Sequence, residues 1–277
     1  AMKYTPFLAP RYHARMLSDL AAFRPALVLV TYTLFSPDMV RRIRAAAQAP
    51  VFCWYIDAMS NVHGDEIFAG AYDLIFCKEP RLVATLRDKL EIACEHLPEA
   101  CNPMWHRPVE ESPEYVCDVA TQGTLHPYRA NFYEAFVDTP LNVRIYGNVA
   151  LSKSPARKFL TGKYIGEHEK AVAFRSARII VNNMHFNEVD GVNNTTFEAC
   201  GCGAFVLCDE KPTLSNFFTA GHELVTFRTQ REMLELVQHF RSPQGETERL
   251  RIRENAWQRA HREHTYERRL QVLLSKL

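Results

Sequence analysis

The sequence lacks a surplus of charge of either sign, which limits the partners it can recruit. Its 277 residues include 33 Lys and Arg against 32 Asp and Glu, giving a formal net charge of +1. Proteins that coat nucleic acids or anionic membranes rely on an excess of positive charge. We therefore predict no nucleic-acid partner.

Long apolar runs are also missing. No run approaches the roughly 20 residues that span a bilayer, and the opening AMKYTPFLAP has no apolar core of a secretory signal. The sequence therefore predicts no transmembrane segment and a cytoplasmic protein.

Metal-binding spacing is absent as well. The chain has no Cys-x-x-Cys pair and no Asp-x-Asp loop, and Cys200 and Cys202 have no second pair or His partner at zinc spacing. Several cysteines lie in apolar runs, where cysteine behaves as a small hydrophobic residue. We predict no metal site and a reducing compartment. The cysteines are Cys53, Cys77, Cys94, Cys101, Cys117, Cys200, Cys202 and Cys208.

Strand and helix patterns alternate throughout a chain that is 47% hydrophobic. The strand runs, such as 51–56 and 73–77, are continuously apolar, as in parallel strands covered on both faces. Helical segments between them, such as 80–93, indicate doubly wound layers. The fold class is therefore α/β, with two Rossmann-like domains facing a cleft.

The proline-rich, aperiodic segment 97–115 predicts the connection between the domains. We assign residues 1–112 to an N-terminal domain, short or truncated, and 113–277 to a C-terminal domain. The second domain restarts the pattern with a strand over 117–121, and a further strand is predicted near 163–165. Its terminal helix starts near Glu246 and is broken near residues 264–265, and we expect it to pack back toward the N-terminal domain.

Residues 176–209 form a strand, a polar loop, a helix opening near Asn193–Asn194 and a second strand. In such a unit the helix N-terminus points to the carboxyl end of the first strand, where unpaired N–H groups and the helix dipole attract anions. Glu198 follows one turn into the helix. Its carboxylate is well placed to accept hydrogen bonds from sugar hydroxyls.

An ordered set of motifs resembles the GT-B glycosyltransferases, and within them the group called spore maturation protein CgeB-like. The resemblance runs from about residue 25 to the end. The motifs that carry it are WYIDAMSN (54–61), DLIFCKEP (73–80), HLPEACNPMWHRP (96–108), CDVATQG (117–123) with Arg129, RIYGN (144–148), GVNNTTFEACGCG (191–203), FFTAGHELVTF (217–227) and HTYERRLQVLL (264–274).

The chain departs from the family pattern at three places. Thr195 stands where the family usually has Arg, so one phosphate-facing cation is missing, and Asp190 stands where the wider clan often has Glu. The N-terminal half lacks the usual upstream strand and glycine loop. We therefore expect the acceptor-side domain to be small or clipped.

The resemblance implies a nucleoside diphosphate sugar donor held mainly by residues 117–227. Glu198 is the expected ribose partner, with a capping or solvated Glu as the alternative. Asn193, Asn194 and Thr195 are expected to bind the phosphates, although helix capping explains them equally well.

Other donor-side candidates follow the first two strands of this domain. Gly123 and Thr124 would let the backbone approach the diphosphate, or form a simple turn. Arg129 would supply the charge that Thr195 lacks, or lie at the surface, with Lys163 as a weaker second choice. Two loop residues, His185 and Asp190, would face the donor sugar, with ordinary polar loop residues as the alternative.

On the first domain, Asp57 ends an apolar strand and His63 follows six residues on. Either is a candidate general base if the reaction inverts the anomeric centre, while a helix cap and a surface histidine are the alternatives.

The sequence thus predicts a metal-independent glycosyltransferase that needs no cofactor besides its nucleotide-sugar substrate. The acceptor is an unidentified protein, glycan or small molecule. The alternative is a non-catalytic nucleotide- or sugar-binding module, and an epimerase or phosphorylase is a further one.

Overall fold

The computed structural model describes residues 9–31, 35–57, 66–148 and 153–277. The described residues form two compact units that divide after Leu97, and Leu277 groups with the first unit. The elements are α1 (Ala9–Phe23), β1 (Val28–Thr31), α2 (Pro37–Ala47), β2 (Val51–Tyr55), β3 (Leu74–Cys77), α3 (Pro80–Ala84), β4 (Cys94–His96), β5 (Cys117–Gln122), α4 (Pro127–Tyr133), β6 (Val143–Tyr146), α5 (Glu167–Ser176), β7 (Ala177–Asn182), α6 (Asn194–Gly201), β8 (Val206–Asp209), β9 (Val225–Phe227), α7 (Gln230–Arg241), α8 (Pro243–Glu263) and α9 (Tyr266–Leu274).

The first unit contains a parallel sheet in the order β1-β2-β3-β4. All five residues of β2 are buried, which explains why its sequence is continuously apolar. Alternate residues of β2, such as Cys53, join a core with α2 and α3. On the other face Phe52 packs edge-on against Phe76, with ring centroids 6.0 Å apart.

Two elements of this unit differ from the sequence prediction. The helix predicted over 80–93 is α3 followed by a π-helical turn, Thr85–Lys89. The chain then bends at Glu91, whose φ is +54°, and enters β4, which pairs with β3. A three-residue strand is too short to produce a recognisable hydrophobic pattern, so the sequence did not predict it.

The second unit contains a parallel sheet in the order β6-β5-β7-β8-β9. The chain runs from β5 to one side, to β6, and then returns to the other side of β5 to form β7. This reversal creates a topological switch point between β5 and β7. Alternate strand residues belong to separate hydrophobic cores on the two faces of the sheet. Ile180 packs with α5, α6 and α8, whereas Ile179 packs with α4 and α7.

The prediction of a strand near 163–165 is wrong, because those residues form no strand. Leu160 makes an isolated bridge to Ile145 of β6 instead, and the backbone then turns at Gly162, whose φ is +71°. The terminal helix begins at Pro243 and is interrupted at His264 and Thr265, as the loss of apolar periodicity predicted.

The proline-rich segment after Leu97 belongs to the second unit, whereas the sequence suggested a division at residue 112. Cys101 bridges to Thr265, and the Nε of Arg269 donates a 3.0 Å hydrogen bond to the Pro98 carbonyl. A Cβ on Gly201 would lie 2.9 Å from the Cβ of Cys101. These contacts hold the segment against α6 and α9.

His264 is buried among the rings of Phe197, Phe217 and Phe218. Its Nε2 lies 2.7 Å from the Phe217 carbonyl and donates to it. Burial, the largest cause, lowers the pKa of His264 to about 4. The imidazole is therefore neutral in the folded chain at pH 7.

We predict that His264 makes stability depend on pH. The unfolded histidine, with a pKa near 6.5, binds a proton below that pH while the folded one does not. The stabilising contribution of the neutral His264 is therefore fully present above about pH 6.5 and is lost as the pH falls toward 4. Between pH 7 and 5 the free energy of unfolding should fall by about 2 kcal/mol from this residue.

Urea unfolding of the His264→Phe variant at several pH values measures this term. The variant should show a shallower pH dependence, whereas His239→Gln, at a half-exposed side chain, should keep the original slope. Equal slopes for His264→Phe and the unaltered protein would contradict the assignment.

Candidate functional site

The candidate site lies at the carboxyl edge of the second sheet, where the loops after β5 and β7 flank the switch point. Ligands of open α/β sheets bind in this position because the neighbouring loops separate there. Residues from both loops and from the N-terminus of α6 meet at this edge. They include most of the donor-binding residues that the sequence predicted.

The loop after β5 is held close to the loop after β6. Gly123, with φ +121°, donates its N–H to the Tyr146 carbonyl at 2.9 Å. Gly147 has φ +150°, and a Cβ there would lie only 2.4 Å from the Gly123 carbonyl oxygen. Glycine is therefore required at Gly147 for the two loops to approach each other.

Arg129 lies beneath this loop and does not reach out from it. Its guanidinium donates to the carbonyls of Gln122 and Thr124, both at 3.1 Å, and to the Thr121 hydroxyl at 3.0 Å. The side chain is buried, and a Cβ on Gly123 would collide with it. Arg129 therefore stabilises the backbone conformation of residues 122–124.

Aromatic rings connect the two loops. His126, after β5, contacts His185, after β7, with ring centroids 6.0 Å apart. His185 also packs on Phe186 at 4.3 Å, and Phe186 meets Tyr128 at 5.7 Å. Tyr128 and Phe186 are 44% and 58% exposed, so they leave an apolar surface beside the switch point.

The loop after β7 is fixed by the end of β8. The Asp209 carboxylate accepts a 2.7 Å hydrogen bond from the Met184 N–H and a longer one from the Asn183 amide. Burial raises the pKa of Asp209, although the Met184 N–H opposes this. The backbone carbonyl of Asp190 accepts from Thr213, and its partly buried side chain has further interactions.

The helix α6 begins with a side-chain cap. Asn193 accepts a hydrogen bond from the Thr196 N–H, and its amide exchanges hydrogen bonds of 2.8 and 3.1 Å with Asn182. Asn193 is therefore a structural cap. Within the described ranges, the N–H groups of Asn194 and Thr195 have no acceptor. They form the anion-attracting end of the helix.

Glu198 is buried one turn into α6 and is paired with Lys170 of α5. The Lys170 Nζ lies 2.8 Å from its Oε2, and both side chains are close to 10% exposed. The other oxygen, Oε1, has only longer contacts, 3.5 Å to the Asn194 amide and 3.7 Å to His106. Burial raises the pKa of Glu198, and Lys170 opposes that rise.

His106 completes this buried cluster from the proline-rich segment. Its Nδ1 accepts a 3.0 Å hydrogen bond from the Asn102 N–H. Burial, then the charges of Lys170 and His261, lowers its pKa to about 4. The neutral ring therefore carries its proton on Nε2, the atom that faces Glu198.

Other candidates lie apart from this edge. Asp57 is partly buried just past the end of β2 in the first unit, and it has interactions of its own. His63 lies outside the described residues. Lys163 forms an ion pair with Glu169 and donates to the Tyr115 hydroxyl at 2.8 Å. Its ammonium group is therefore bound to partners away from this edge of the sheet.

The sequence analysis predicted no role for three residues of this region, Asn182, Lys170 and His106. Asn182 is a polar residue closing an apolar strand, a pattern that signals a buried hydrogen-bonding role. Lys170 comes from a helix that carries no motif, and His106 comes from the motif at 96–108 without being singled out there. Only the tertiary structure brings the two side chains to Glu198.

In the described part of the chain, no three or more His, Cys, Asp or Glu side chains group as metal ligands. No helix found there has the length and apolar character needed to cross a membrane.

Comparison with solved structures defines the fold. Sucrose-phosphate synthase from Thermosynechococcus elongatus is 12% identical, with a TM-score of 0.65, and the match covers 96% of this chain and 77% of that one. Anabaena HepE in complex with UDP-glucose is 13% identical, with a TM-score of 0.66 and coverage of 96% and 82%. A glycosyltransferase from Rickettsia africae is 10% identical, with a TM-score of 0.65 and coverage of 98% and 81%. The fold is that of the GT-B glycosyltransferases.

The sequence model of the glycosyl transferase-like family matches residues 126–275, which is more than half of the chain. The chain belongs to this family and is a glycosyltransferase. No curated protein sequence matches it.

We predict that Gly147→Ala lowers the free energy of unfolding by roughly 2–4 kcal/mol, from backbone strain and from the clash with Gly123. Gly162→Ala is the matched control, because Gly162 also has a positive φ but would meet no atom within 4 Å. Urea unfolding measures both, and equal losses would contradict the role given to the close approach of the loops.

Proposed function

We propose that this glycosyltransferase transfers a sugar from a nucleoside diphosphate sugar to an acceptor, and that the donor binds at the carboxyl edge of the second sheet. The observation that carries the proposal is the open N-terminus of α6 beside the switch point, with the Glu198 carboxylate one turn further in. Anabaena HepE, which is similar in fold, has been solved with UDP and with UDP-glucose.

The diphosphate binds, in this proposal, to backbone N–H groups. Asn194 and Thr195 offer theirs at the positive end of α6, and the Thr195 hydroxyl adds a donor. Gly123 and Thr124, held by Arg129, present backbone from the other side of the switch point. Arg129 acts through this loop and does not itself contact the leaving group.

The ribose binds Glu198. Its Oε2 is engaged by Lys170, whereas Oε1 has only contacts of 3.5 Å or longer. A carboxylate oxygen with lone pairs to spare accepts hydroxyl hydrogen bonds, and such charge-assisted bonds contribute about 1.5–3 kcal/mol each. Lys170 favours the ionised carboxylate that this interaction needs.

The donor sugar lies, in our proposal, near His185 and Asp190 of the loop after β7. The exposed rings of Tyr128 and Phe186 supply an apolar surface next to His185. A pyranose ring presents apolar C–H faces and polar edges, so a surface of rings beside hydrogen-bonding side chains suits it.

We propose that no divalent cation takes part. The sequence has no Asp-x-Asp loop to hold one, and the N-terminus of α6 provides partial positive charge for the leaving diphosphate.

For catalysis we propose Asp57 or His63 as the general base that accepts the proton of the acceptor hydroxyl. Asp57 lies two residues past the end of β2, and the carboxyl ends of parallel strands are where open α/β sheets hold reactive groups. The acceptor is a protein, a glycan or a small molecule.

Within the GT-B enzymes we assign the chain to the CgeB-like group on the ordered motifs given above. We also propose a cytoplasmic location. All eight cysteines are free and buried, as suits a protein of a reducing compartment.

We predict that one nucleoside diphosphate raises the melting temperature in a screen run with a chelator present. Glu198→Gln should weaken its binding by about tenfold to a hundredfold, because a charge-assisted hydrogen bond to the ribose is lost. Slow release of nucleoside diphosphate from the matching nucleotide sugar should fall in parallel. The absence of any melting-temperature shift, or a shift only with divalent metal, would contradict the proposal.

Glu198→Gln leaves Lys170 buried without its counter-charge, so stability needs a control. Breaking a buried ion pair from one side costs about 3–5 kcal/mol, whereas replacing both partners is often neutral. The double variant Lys170→Met, Glu198→Gln should regain stability but not donor affinity. Glu235→Gln, at an exposed site on α7, should leave both unchanged.

We predict that Asp57→Asn lowers kcat by about a hundredfold to ten-thousandfold, as expected on loss of a general base. Nucleotide affinity should stay within a factor of about two, since donor binding resides in the second unit. Steady-state kinetics and nucleotide titration separate the two effects. If kcat is unchanged in Asp57→Asn and falls in His63→Gln, the base is His63, and if neither changes kcat, the assignment is wrong.

A further inference from the structure

A second concave site lies at the amino ends of β5 and β7, the opposite end of the sheet from the proposed donor site. It is a cavity of about 460 Å³, enclosed by the strand starts, the C-terminal end of α5, the first turns of α8 and the segment before β5. Small-molecule sites have volumes of about 300–1,000 Å³. The cavity is therefore large enough for a metabolite.

The walls of this cavity carry a concentration of arginine. Two come from α5 and the start of β7, Arg175 and Arg178, and two from α8, Arg249 and Arg253. Arg249 is fully engaged, because it donates to Glu246 at 2.8 and 3.3 Å and to the Arg178 carbonyl at 3.1 Å. Glu246 thus neutralises one of the four.

Arg175 and Arg253 keep most of their N–H donors available. Arg175 donates to the Gly203 carbonyl at 2.6 Å, and it has no carboxylate partner in the residues that the structure describes. Arg253 makes one long ion pair, 3.5 Å to Glu111, although its side chain is only 15% exposed. A guanidinium so enclosed normally has its donors matched.

The guanidinium groups also repel one another. Burial, followed by the charges of Arg175 and Arg249, lowers the pKa of Arg253. An anion inside the cavity would remove this repulsion and replace lost solvation. Among the described residues the carboxylate that pairs with Arg253 is that of Glu111, which is 51% exposed and can move out to solvent. The other two carboxylates that line the cavity, Glu246 and Asp118, pair with Arg249 and Arg241.

We propose that this cavity binds the phosphate group of a small phosphate monoester through Arg175 and Arg253, with the Glu111 carboxylate competing for Arg253. The planar guanidinium fork matches phosphate oxygens in two parallel hydrogen bonds. Arg178, at the exposed rim, donates one N–H to the Arg241 carbonyl and adds positive charge beside the cavity. The volume beyond one phosphate accommodates the organic part of the ester.

The site is separate from the donor site. The strand β5 has six residues, and at a rise of about 3.3 Å for each residue its two ends lie roughly 16–20 Å apart. Binding here is therefore independent of Glu198 and the N-terminus of α6, and its failure would leave the proposed transferase function untouched.

The test is calorimetric titration of the full chain with inorganic phosphate and with glycerol 3-phosphate, at constant ionic strength set with chloride. We expect saturable binding, tighter for the ester. Arg253→Gln and Arg175→Gln should each weaken it by about tenfold or more, since each removes a charge-assisted fork. The control Arg251→Gln removes the same charge from an exposed position on α8 and should change nothing.

Glu111→Gln provides a readout that damage to the fold cannot imitate, because removing the competing carboxylate should tighten binding. Equal affinity for phosphate and ester still supports a phosphate site. No saturable binding, equal affinities for Arg253→Gln and Arg251→Gln, or weaker binding by Glu111→Gln would each overturn the proposal.

Discussion

The buried ion pair between Lys170 and Glu198 constrains how the helices of the second unit pack. A carboxylate in the interior is expensive unless a counter-charge and hydrogen bonds compensate it. At 2.8 Å, Lys170 supplies the charge and thereby fixes α5 against α6. His106 brings the proline-rich segment to the same cluster. The interaction leaves Oε1 of Glu198 with contacts of only 3.5 Å or longer, and for this reason we propose Glu198 as a binding group as well as a structural one.

The two ends of the second sheet have different chemistry for one topological reason. Parallel strands place all their carboxyl ends at one edge, where loops and helix N-termini collect and attract anions through backbone N–H groups. The amino edge instead receives helix C-termini, where basic side chains are favourable. Arg175 lies in the last turn of α5, and α8 adds Arg249 and Arg253 across the cavity. Backbone donors define one candidate site and guanidinium groups the other.

Sequence reasoning succeeded where a local pattern encodes the structure. The apolar runs at 51–56 and 73–77 became buried parallel strands because strands covered on both faces need no polar alternation. The cap at Asn193 and the position of Glu198 followed from side-chain chemistry next to a helix start. Sequence reasoning failed at β4, which it did not predict, and at residues 163–165, where it predicted a strand that does not form. The former is specified by pairing with β3 and has little pattern of its own, and the latter has an apolar residue but no neighbouring strand to pair with.

The sequence by itself determined the α/β class, the alternation of helices and strands, and the unit at 176–209, because each depends on residues close together in the chain. Tertiary structure alone decided what surrounds each functional side chain. Arg129 turned inward because three oxygen acceptors of its own loop lie within reach, and Lys170 met Glu198 only through the packing of α5 on α6. Contacts between distant segments depend on sheet order and helix packing, and no local pattern in the chain records them.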